Sequence, residues 1–107
     1  MAKPKLPADS VVIERQDYKT RGSYVATVTG MHGIARLAYR HARDDLIIAE
    51  RTETSEQLRG LDVELTLLER MVQDARREKV KIYALCSYVD EQRRSHPEWA
   101  DVFQVAS

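Results

Sequence analysis

The hydrophobic period of the chain changes once, near residue 60, and no other feature of the sequence constrains the fold as strongly. Between residues 11 and 54, apolar and polar residues alternate in several short runs, which is typical of β-strands. From residue 61 the apolar residues recur at steps of three and four, which is typical of one face of an α-helix. Because 107 residues are enough for one domain and not for two, the pattern predicts a single α/β domain with helices against one layer of sheet.

The first half is predicted to form a meander of four strands. Gly30 and Gly33 mark a turn suited to a hairpin, and residues 43–45 form another polar turn. Short connections of this kind imply antiparallel pairing. The predicted strands cover residues 11–13, 23–28, 34–40 and 46–54, and the polar stretch 14–22 separates the first two.

The second half is predicted to hold a helix of about five turns, a short buried strand and a second, shorter helix. Positive residues at 79 and 81 favour the end of the first helix, and the apolar run 82–86 is typical of a buried strand. Ser87 can cap the second helix, which the His-Pro pair at 96–97 stops. Residues 99–103 are predicted to form a helical turn on the core. The apolar stripe of the long helix comprises Leu61, Leu65, Leu67, Leu68, Met71, Val72 and Ala75. We therefore expect a mixed, mostly antiparallel sheet with one long and one short helix.

Charge and apolar content exclude several classes of function. Lys+Arg and Asp+Glu number 17 each, so no net charge attracts the chain to nucleic acid. No apolar run approaches the roughly 20 residues that a membrane span needs. Residues 1–9 lack the apolar stretch of a secretory signal and are predicted to be a flexible leader to a domain at 10–107. Cys86 cannot form an internal disulfide, so a cytoplasmic location is expected. Exposed sheet edges favour pairing, so a homodimer is also considered.

The segment from residue 50 to residue 64 carries the clearest chemical signal. A predicted strand leads into a polar turn that contains Gly60, and the turn opens directly into the long helix. A turn of this kind presents backbone N–H groups at the positive end of a helix, which is a natural seat for phosphate. A glycine before a helix is common, so spacing alone leaves the ligand open.

Three segments of the sequence carry a resemblance to a known family. They are residues 50–60 with the helix end 74–78, residues 81–89 with their Cys-Ser-Tyr-Val motif, and the His-Pro-Glu-Trp tail that begins at residue 96. Together they resemble the short, single-domain N-acetyltransferase-like family of the GNAT superfamily. The resemblance implies a sheet that splays around acetyl-CoA and an acetyl group transferred to the amine of a small molecule or protein.

The resemblance also implies roles for particular residues. Cys86 would be the catalytic residue near the thioester, and the pantetheine arm would lie beside Thr52 and Thr54. The pyrophosphate would bind the backbone N–H groups of Arg59, Gly60, Leu61, Asp62, Val63 and Glu64.

Two acidic residues depart from the phosphate loop of the superfamily. Arg59 is in place, but Asp62 and Glu64 stand where small residues are expected. Their side chains would crowd and repel a pyrophosphate, since two like charges 4 Å apart cost about 4 kcal/mol at an effective dielectric constant of about 20. Alternatively, acids in a first helical turn simply stabilise the helix dipole by about 0.3–1 kcal/mol each. Arg51 also replaces a His usual in the family. The two hypotheses are therefore an active N-acetyltransferase and a non-catalytic interaction module that has lost acetyl-CoA binding.

Two further side chains have a chemical and a structural interpretation. A helix N-terminus after Cys86 would favour its thiolate, although free cysteines are more often buried and inert. Tyr88 could protonate a leaving thiolate or could serve only as a packed aromatic. His32, His41 and His96 have no helical spacing to a second ligand, so no metal site is predicted.

Overall fold

The computed structural model describes residues 10–105, and the predicted leader at 1–9 lies outside them. The strands are β1 (Val11–Asp17), β2 (Arg21–Val28), β3 (Ala35–Arg43), β4 (Leu46–Thr54) and β5 (Lys81–Ala84), and the helices are α1 (Val63–Glu78) and α2 (Ser87–Ser95). Two short 3₁₀ turns, Glu56–Leu58 and Pro97–Trp99, precede α1 and follow α2. This order confirms the α/β domain expected from the hydrophobic pattern.

The sheet has five strands in the same order as in the sequence. The first four strands pair antiparallel, and β5 pairs parallel with β4. A parallel neighbour requires a crossover connection, and α1 supplies it. The sheet is therefore mixed and mostly antiparallel, as predicted.

The core lies between the sheet and α1. Tyr24 and Leu37 of the sheet meet Leu68 and Met71 of the helix, and all four side chains are fully buried. Burying a side chain of this size stabilises the fold by about 1.5–3 kcal/mol. The helix starts at Val63, so the predicted stripe is displaced at its beginning: Val63 is buried, whereas Leu61 lies outside the helix.

The first strand is longer than its apolar residues indicate. The prediction that it ends at Ile13 was wrong, because pairing with β2 continues to Asp17 opposite Gly22. Backbone ladder bonds do not depend on apolar side chains. The polar extension is also tied down, since Arg15 contacts Glu78 of α1 at 2.6 Å.

The C-terminal elements differ from the prediction in two places. The strand β5 ends at Ala84, and Leu85, expected to be buried, is 56% exposed. Ser87 is the first residue of α2 and not its cap, because Cys86 occupies the N-cap position.

The tail is only partly the helical turn that was expected. Residues Pro97–Trp99 form the 3₁₀ turn, but Phe103 pairs parallel with Ile82 of β5. The N–H of Ile82 donates to Val102 at 2.7 Å, and the N–H of Gln104 donates to Ile82 at 2.8 Å. The tail pairs with the outer edge of β5 because an unpaired strand edge presents N–H and C=O groups that need hydrogen-bond partners. Within residues 10–105, no helix combines the length and apolar character needed to cross a membrane.

Candidate functional site

The parallel strands β4 and β5 stop pairing halfway along β4. Their register runs from Leu46 opposite Lys81 to Ala49 opposite Ala84. The carbonyl of Ala49 then accepts two N–H groups, from Leu85 at 3.1 Å and from Cys86 at 3.0 Å, as the chain turns into α2. Strand β4 continues to Thr54, and residues 50–54 pair only with β3 among the described strands. We call the opening between residues 50–54 and Cys86 the strand fork.

A β-bulge in β4 coincides with the start of the fork. Ala38 of β3 lies opposite Arg51, whereas its neighbour Tyr39 lies opposite Ala49, so Glu50 is an extra residue in β4. A bulge bends its strand and increases the local twist. The bend therefore occurs where β5 ceases to pair. From the sequence, Glu50 could face a cleft, but no local feature distinguishes it from other exposed strand residues, so the bulge was not predicted.

Two of the predicted site residues meet across the fork. The hydroxyl oxygen of Thr52 lies 3.8 Å from the Sγ of Cys86, and both residues are half-buried. Cys86 is a free thiol at the N-cap of α2 and packs against the core. Thr54 lies two residues further along β4, also half-buried. The N–H groups of Leu85 and Cys86 already donate to Ala49, so a carbonyl bound in the fork needs donors from β4.

The turn that leads into α1 is anchored at its first residue, Ser55, and by the buried side chain of Leu58. Ser55 exchanges hydrogen bonds with Ile34 at the end of the β2–β3 turn: its N–H donates to the Ile34 carbonyl at 2.8 Å, and its Oγ accepts the Ile34 N–H at 2.9 Å. Leu58 is fully buried, whereas Arg59 and Gly60 are exposed. Gly60 has φ of 85° with open space around it, a conformation that other residues adopt at a cost. The turn is therefore held in place while its backbone remains accessible.

Asp62 forms the N-cap of α1 in the left-handed conformation, with φ of 57°. Its carbonyl accepts the N–H of Thr66 at 3.3 Å, and the first N–H groups of a helix lack intrahelical acceptors. Left-handed backbone favours glycine and tolerates Asp better than most residues. The left-handed backbone at this position therefore favours glycine but accommodates the aspartate that this chain carries.

Tyr88 of α2 connects the helix start to the fork electrostatically. Burial raises the pKa of its phenol above the ordinary value, and the charges of Glu64, Asp62 and Cys86 raise the pKa further. Its phenol therefore remains protonated across the physiological pH range. Because the charges of Asp62, Glu64 and Cys86 all act on this phenol, Tyr88 lies within electrostatic range of both the helix start and the strand fork.

His41 and His96 have partners outside the strand fork, although His41 also lines the cleft that contains Glu50, Arg51 and Leu85. The Nε2 of His41 lies 2.8 Å from Asp17, and His96 stacks on Trp99 with ring centroids 4.0 Å apart. Over the described range 10–105, no three His, Cys, Asp or Glu residues are grouped so as to hold a metal ion.

A buried polar cluster on the helix face of the sheet was missed entirely. The hydroxyl of Tyr24 donates to Asp74 at 2.8 Å, and Asp74 is only 1% exposed. Arg15 also reaches Asp74, at 3.3 Å. Asp74 follows Met71 by three residues and so lies on the apolar stripe of α1, which is the signal that could have identified it.

Comparisons with known proteins identify the family and the fold. A sequence model of a family described as GCN5-related N-acetyl-transferase matches residues 23–102. Among solved structures, the chain resembles the solution structure of a Staphylococcus aureus protein named for its likeness to GCN5-type N-acetyltransferases. The TM-score is 0.67 at 23% identity, over 88% of this chain and 90% of the other. At that identity the likeness shows the fold alone. No curated protein sequence matches the chain.

Proposed function

Because the chain belongs to the GCN5-related N-acetyl-transferase family, we propose that it transfers an acetyl group from acetyl-CoA to an amine. The strand fork is the observation that carries the proposal. Its β4 side, residues 50–54, has no second strand partner among the described residues and leads into the turn before α1. One continuous segment can therefore contact both the pantetheine arm and the pyrophosphate of the cofactor.

The residues of this segment fit acetyl-CoA in part. The pantetheine arm would lie along β4 beside Thr52 and Thr54, and the pyrophosphate would approach the backbone from Arg59 to Glu64. The open space at Gly60 and the positive end of α1 favour an anion. The negative charges of the Asp62 and Glu64 carboxylates disfavour the binding of an anion at this place.

We infer that Tyr88 is the general acid of the reaction. Acetyl-CoA supplies the acetyl group as an activated thioester. As the amine nitrogen bonds to the carbonyl carbon, the C–S bond would break and the departing thiolate would take a proton from Tyr88. The new amide nitrogen would lose one proton to solvent, and the phenolate would regain one from solvent. Tyr88 is protonated at neutral pH and can therefore donate this proton, although a pKa above the ordinary value makes its phenol a weaker acid than a free tyrosine.

Cys86 would lie beside the thioester in one of two roles. It either carries the acetyl group transiently or forms a polar wall of the fork next to Thr52, which lies 3.8 Å away. Intact-mass spectrometry of the full chain after brief incubation with acetyl-CoA separates these roles. If the wild-type chain gains the mass of an acetyl group and Cys86→Ala does not, Cys86 is an acetyl carrier. If the wild-type chain turns over normally and stays unmodified, Cys86 only forms a wall of the fork.

The second candidate function is an interaction module without cofactor. Asp62 and Glu64 favour it, because both carboxylates lie at the helix start and their charges raise the pKa of Tyr88. A negative potential at this place opposes pyrophosphate binding.

Isothermal titration of the full chain with acetyl-CoA decides between the two functions. A dissociation constant in the low micromolar range would exclude an interaction-only module. The absence of heat at high micromolar ligand would exclude the enzyme.

Substitutions at Asp62 separate repulsion from crowding. We expect Asp62→Gly to raise the affinity for acetyl-CoA about tenfold, or about 1.4 kcal/mol. Asp62→Asn is the matched variant, since Asn also tolerates left-handed backbone but keeps the side-chain volume. Equal gains assign the effect to charge, and a gain in the glycine variant alone assigns it to space. If neither substitution, alone or with Glu64→Ala, raises the affinity, the repulsion argument is wrong.

Other expectations from the sequence remain predictions. We propose a cytoplasmic location and no nucleic-acid partner, and we expect the edge of β1, which no described strand covers, to favour a homodimer. Light scattering on the full chain tests the oligomeric state.

A further inference from the structure

A cleft of about 690 Å³ opens beside the strand fork and is rich in arginine. We call it the arginine cleft. Its lining includes Arg21, Arg36, Arg40, Arg51, Glu50 and Leu85.

The strand register concentrates these positive charges. Arg21 of β2 lies directly opposite Arg40 of β3, and Arg36 lies on the same strand as Arg40 with Ala38 midway between them. Like charges directly opposite each other on paired strands destabilise a sheet. The chain as a whole has no net charge, so the cluster is a local excess and not a reflection of composition.

Two of the four arginines are not neutralised by a neighbour. Arg40 pairs with Glu50 at 3.2 Å, and Arg51 pairs with Glu53 at 3.1 Å. Over residues 10–105, no carboxylate lies within 4.0 Å of the guanidinium groups of Arg21 and Arg36. A bound anion would satisfy them, because guanidinium groups pair strongly with carboxylate and phosphate.

The cleft borders the place where the acetyl group would be delivered. Leu85 lines the cleft and immediately precedes Cys86. Glu50, the bulge residue, and Arg51 line the cleft as well and begin the β4 side of the fork. The volume is in the range of about 300–1,000 Å³ that small-molecule sites occupy.

We propose that the acceptor is a small primary amine that carries a carboxylate or a phosphate, and that Arg21 and Arg36 bind this anion. The inference rests on the proposed function. It adds the chemical class of the second substrate, whose anion would be held in the arginine cleft while its amine reaches the fork.

Matched pairs of amines test the inference on the isotopically labelled full chain. 4-Aminobutyrate is compared with butylamine, and O-phosphoethanolamine with ethanolamine, so that carboxylate and phosphate are scored separately. Binding is measured from backbone amide shifts with and without acetyl-CoA, and acetyl transfer from the release of free CoA thiol. Arg21→Gln and Arg36→Gln remove the two unpaired charges. Arg94→Gln, on α2 and outside the lining of the cleft, removes one charge as the control.

We expect at least one anionic amine to bind about tenfold more tightly than its neutral partner. Each cleft variant should reduce this preference at least about threefold without changing acetyl-CoA affinity, and the control should keep it. Amide spectra with native dispersion show that a variant is folded. Equal binding of charged and neutral amines would overturn the inference, as would a preference that survives both cleft variants. Tighter, arginine-dependent binding of a single-stranded oligonucleotide would overturn it as well.

The two proposals fail separately. If acetyl-CoA does not bind while 4-aminobutyrate still binds through Arg36, the acetyltransferase proposal fails and the anion site stands without an acceptor role. If acetyl-CoA binds and neutral amines are acetylated equally well, only the inference about the acceptor fails.

Discussion

Asp74 is a buried acidic residue whose charge is compensated by neighbouring side chains. Its carboxylate is buried beneath the sheet, where Tyr24 donates to it at 2.8 Å and Arg77 donates to it at 2.8 Å. Burial alone would raise the pKa of Asp74, but the Tyr24 hydrogen bond and the charges of Arg70 and Arg15 outweigh it and lower the pKa. The buried charge is therefore compensated, which is the condition under which such a group is tolerated.

We expect Asp74→Asn to lower the free energy of unfolding at pH 7 by about 2 kcal/mol, since a hydrogen bond to a charged group contributes about 1.5–3 kcal/mol. Urea unfolding followed by Trp99 fluorescence measures it. Asp44→Asn, in the exposed β3–β4 turn, is the control and should change little.

The same carboxylate predicts a pH dependence. A lowered folded-state pKa means that the contribution of Asp74 is complete above the ordinary carboxyl pKa of about 4 and disappears as the pH falls through the lower value. The wild-type chain should therefore lose more stability between about pH 4 and pH 2 than Asp74→Asn. Asp17 also has a lowered pKa, so the variant keeps part of the slope. Identical slopes for the two proteins would contradict the assignment.

The proposed role of Tyr88 as general acid can be tested by removing its hydroxyl group. We expect Tyr88→Phe to lower turnover about a hundredfold, the order of general acid catalysis, with acetyl-CoA affinity within about twofold of wild type. Tyr83→Phe on β5 is a matched control, because Tyr83 is also half-buried. Steady-state kinetics with an accepted amine supply the measurement. Normal turnover in Tyr88→Phe would leave the phenol with a packing role only.

At the scale of single elements, α1 is unusual because both of its flanking residues are left-handed and neither is glycine. Asp62 has φ of 57° and Lys79 has φ of 60°. At the C-terminus the N–H of Val80 donates to the Ala75 carbonyl at 3.0 Å, which closes the helix in the manner of a Schellman motif. The N-terminal strain lies in the proposed cofactor turn, whereas the C-terminal strain has no functional role in the proposal.

We therefore expect Lys79→Gly to stabilise the protein by about 0.5 kcal/mol. Relief of left-handed strain, worth about 1–2 kcal/mol, outweighs the greater freedom of glycine in the unfolded chain. Thermal unfolding measures the change. Lys79→Ala removes the same charge but keeps a Cβ, so it should not stabilise; a gain in this control would point to charge instead of backbone conformation.

At the scale of the whole molecule, the C-terminal segment closes the β5 edge of the sheet. Arg76 of α1 holds Asp101 through two hydrogen bonds of 2.9 and 2.8 Å, and Phe103 pairs with Ile82. Trp99 is largely buried beside Phe103. The tail thus fastens the strand whose end leads to Cys86, which links the order of the tail to the geometry of the fork.

Arg76→Ala should release the tail without unfolding the domain. We expect faster amide hydrogen exchange at Ile82 and Gln104, whose N–H groups bond across this junction, with little change in the centre of β2. Local opening of this kind is less costly than global unfolding. Arg94→Ala on α2 is the control. Unchanged exchange at both amides would show that the ion pair does not hold the tail.

The sequence by itself determined the order of the elements and most of the apolar face of α1, because hydrophobic period is a local property of the chain. It also determined that Gly60 lies before a helix and that Cys86 lies between a strand and a helix. The proposed cofactor segment, residues 50–64, could for this reason be located without coordinates, and its role remains a prediction.

Only the tertiary structure decided which residues of neighbouring elements lie opposite each other. Strand register placed Glu50 in a bulge, brought Thr52 to Cys86, set Arg21 opposite Arg40 and carried Phe103 to β5. These contacts join residues that are far apart in the sequence, and the local hydrophobic period cannot predict them. The fork and the arginine cleft form where two features coincide. The bulge at Glu50 bends β4, and the short parallel strand β5 stops pairing with β4 at the neighbouring residue, Ala49.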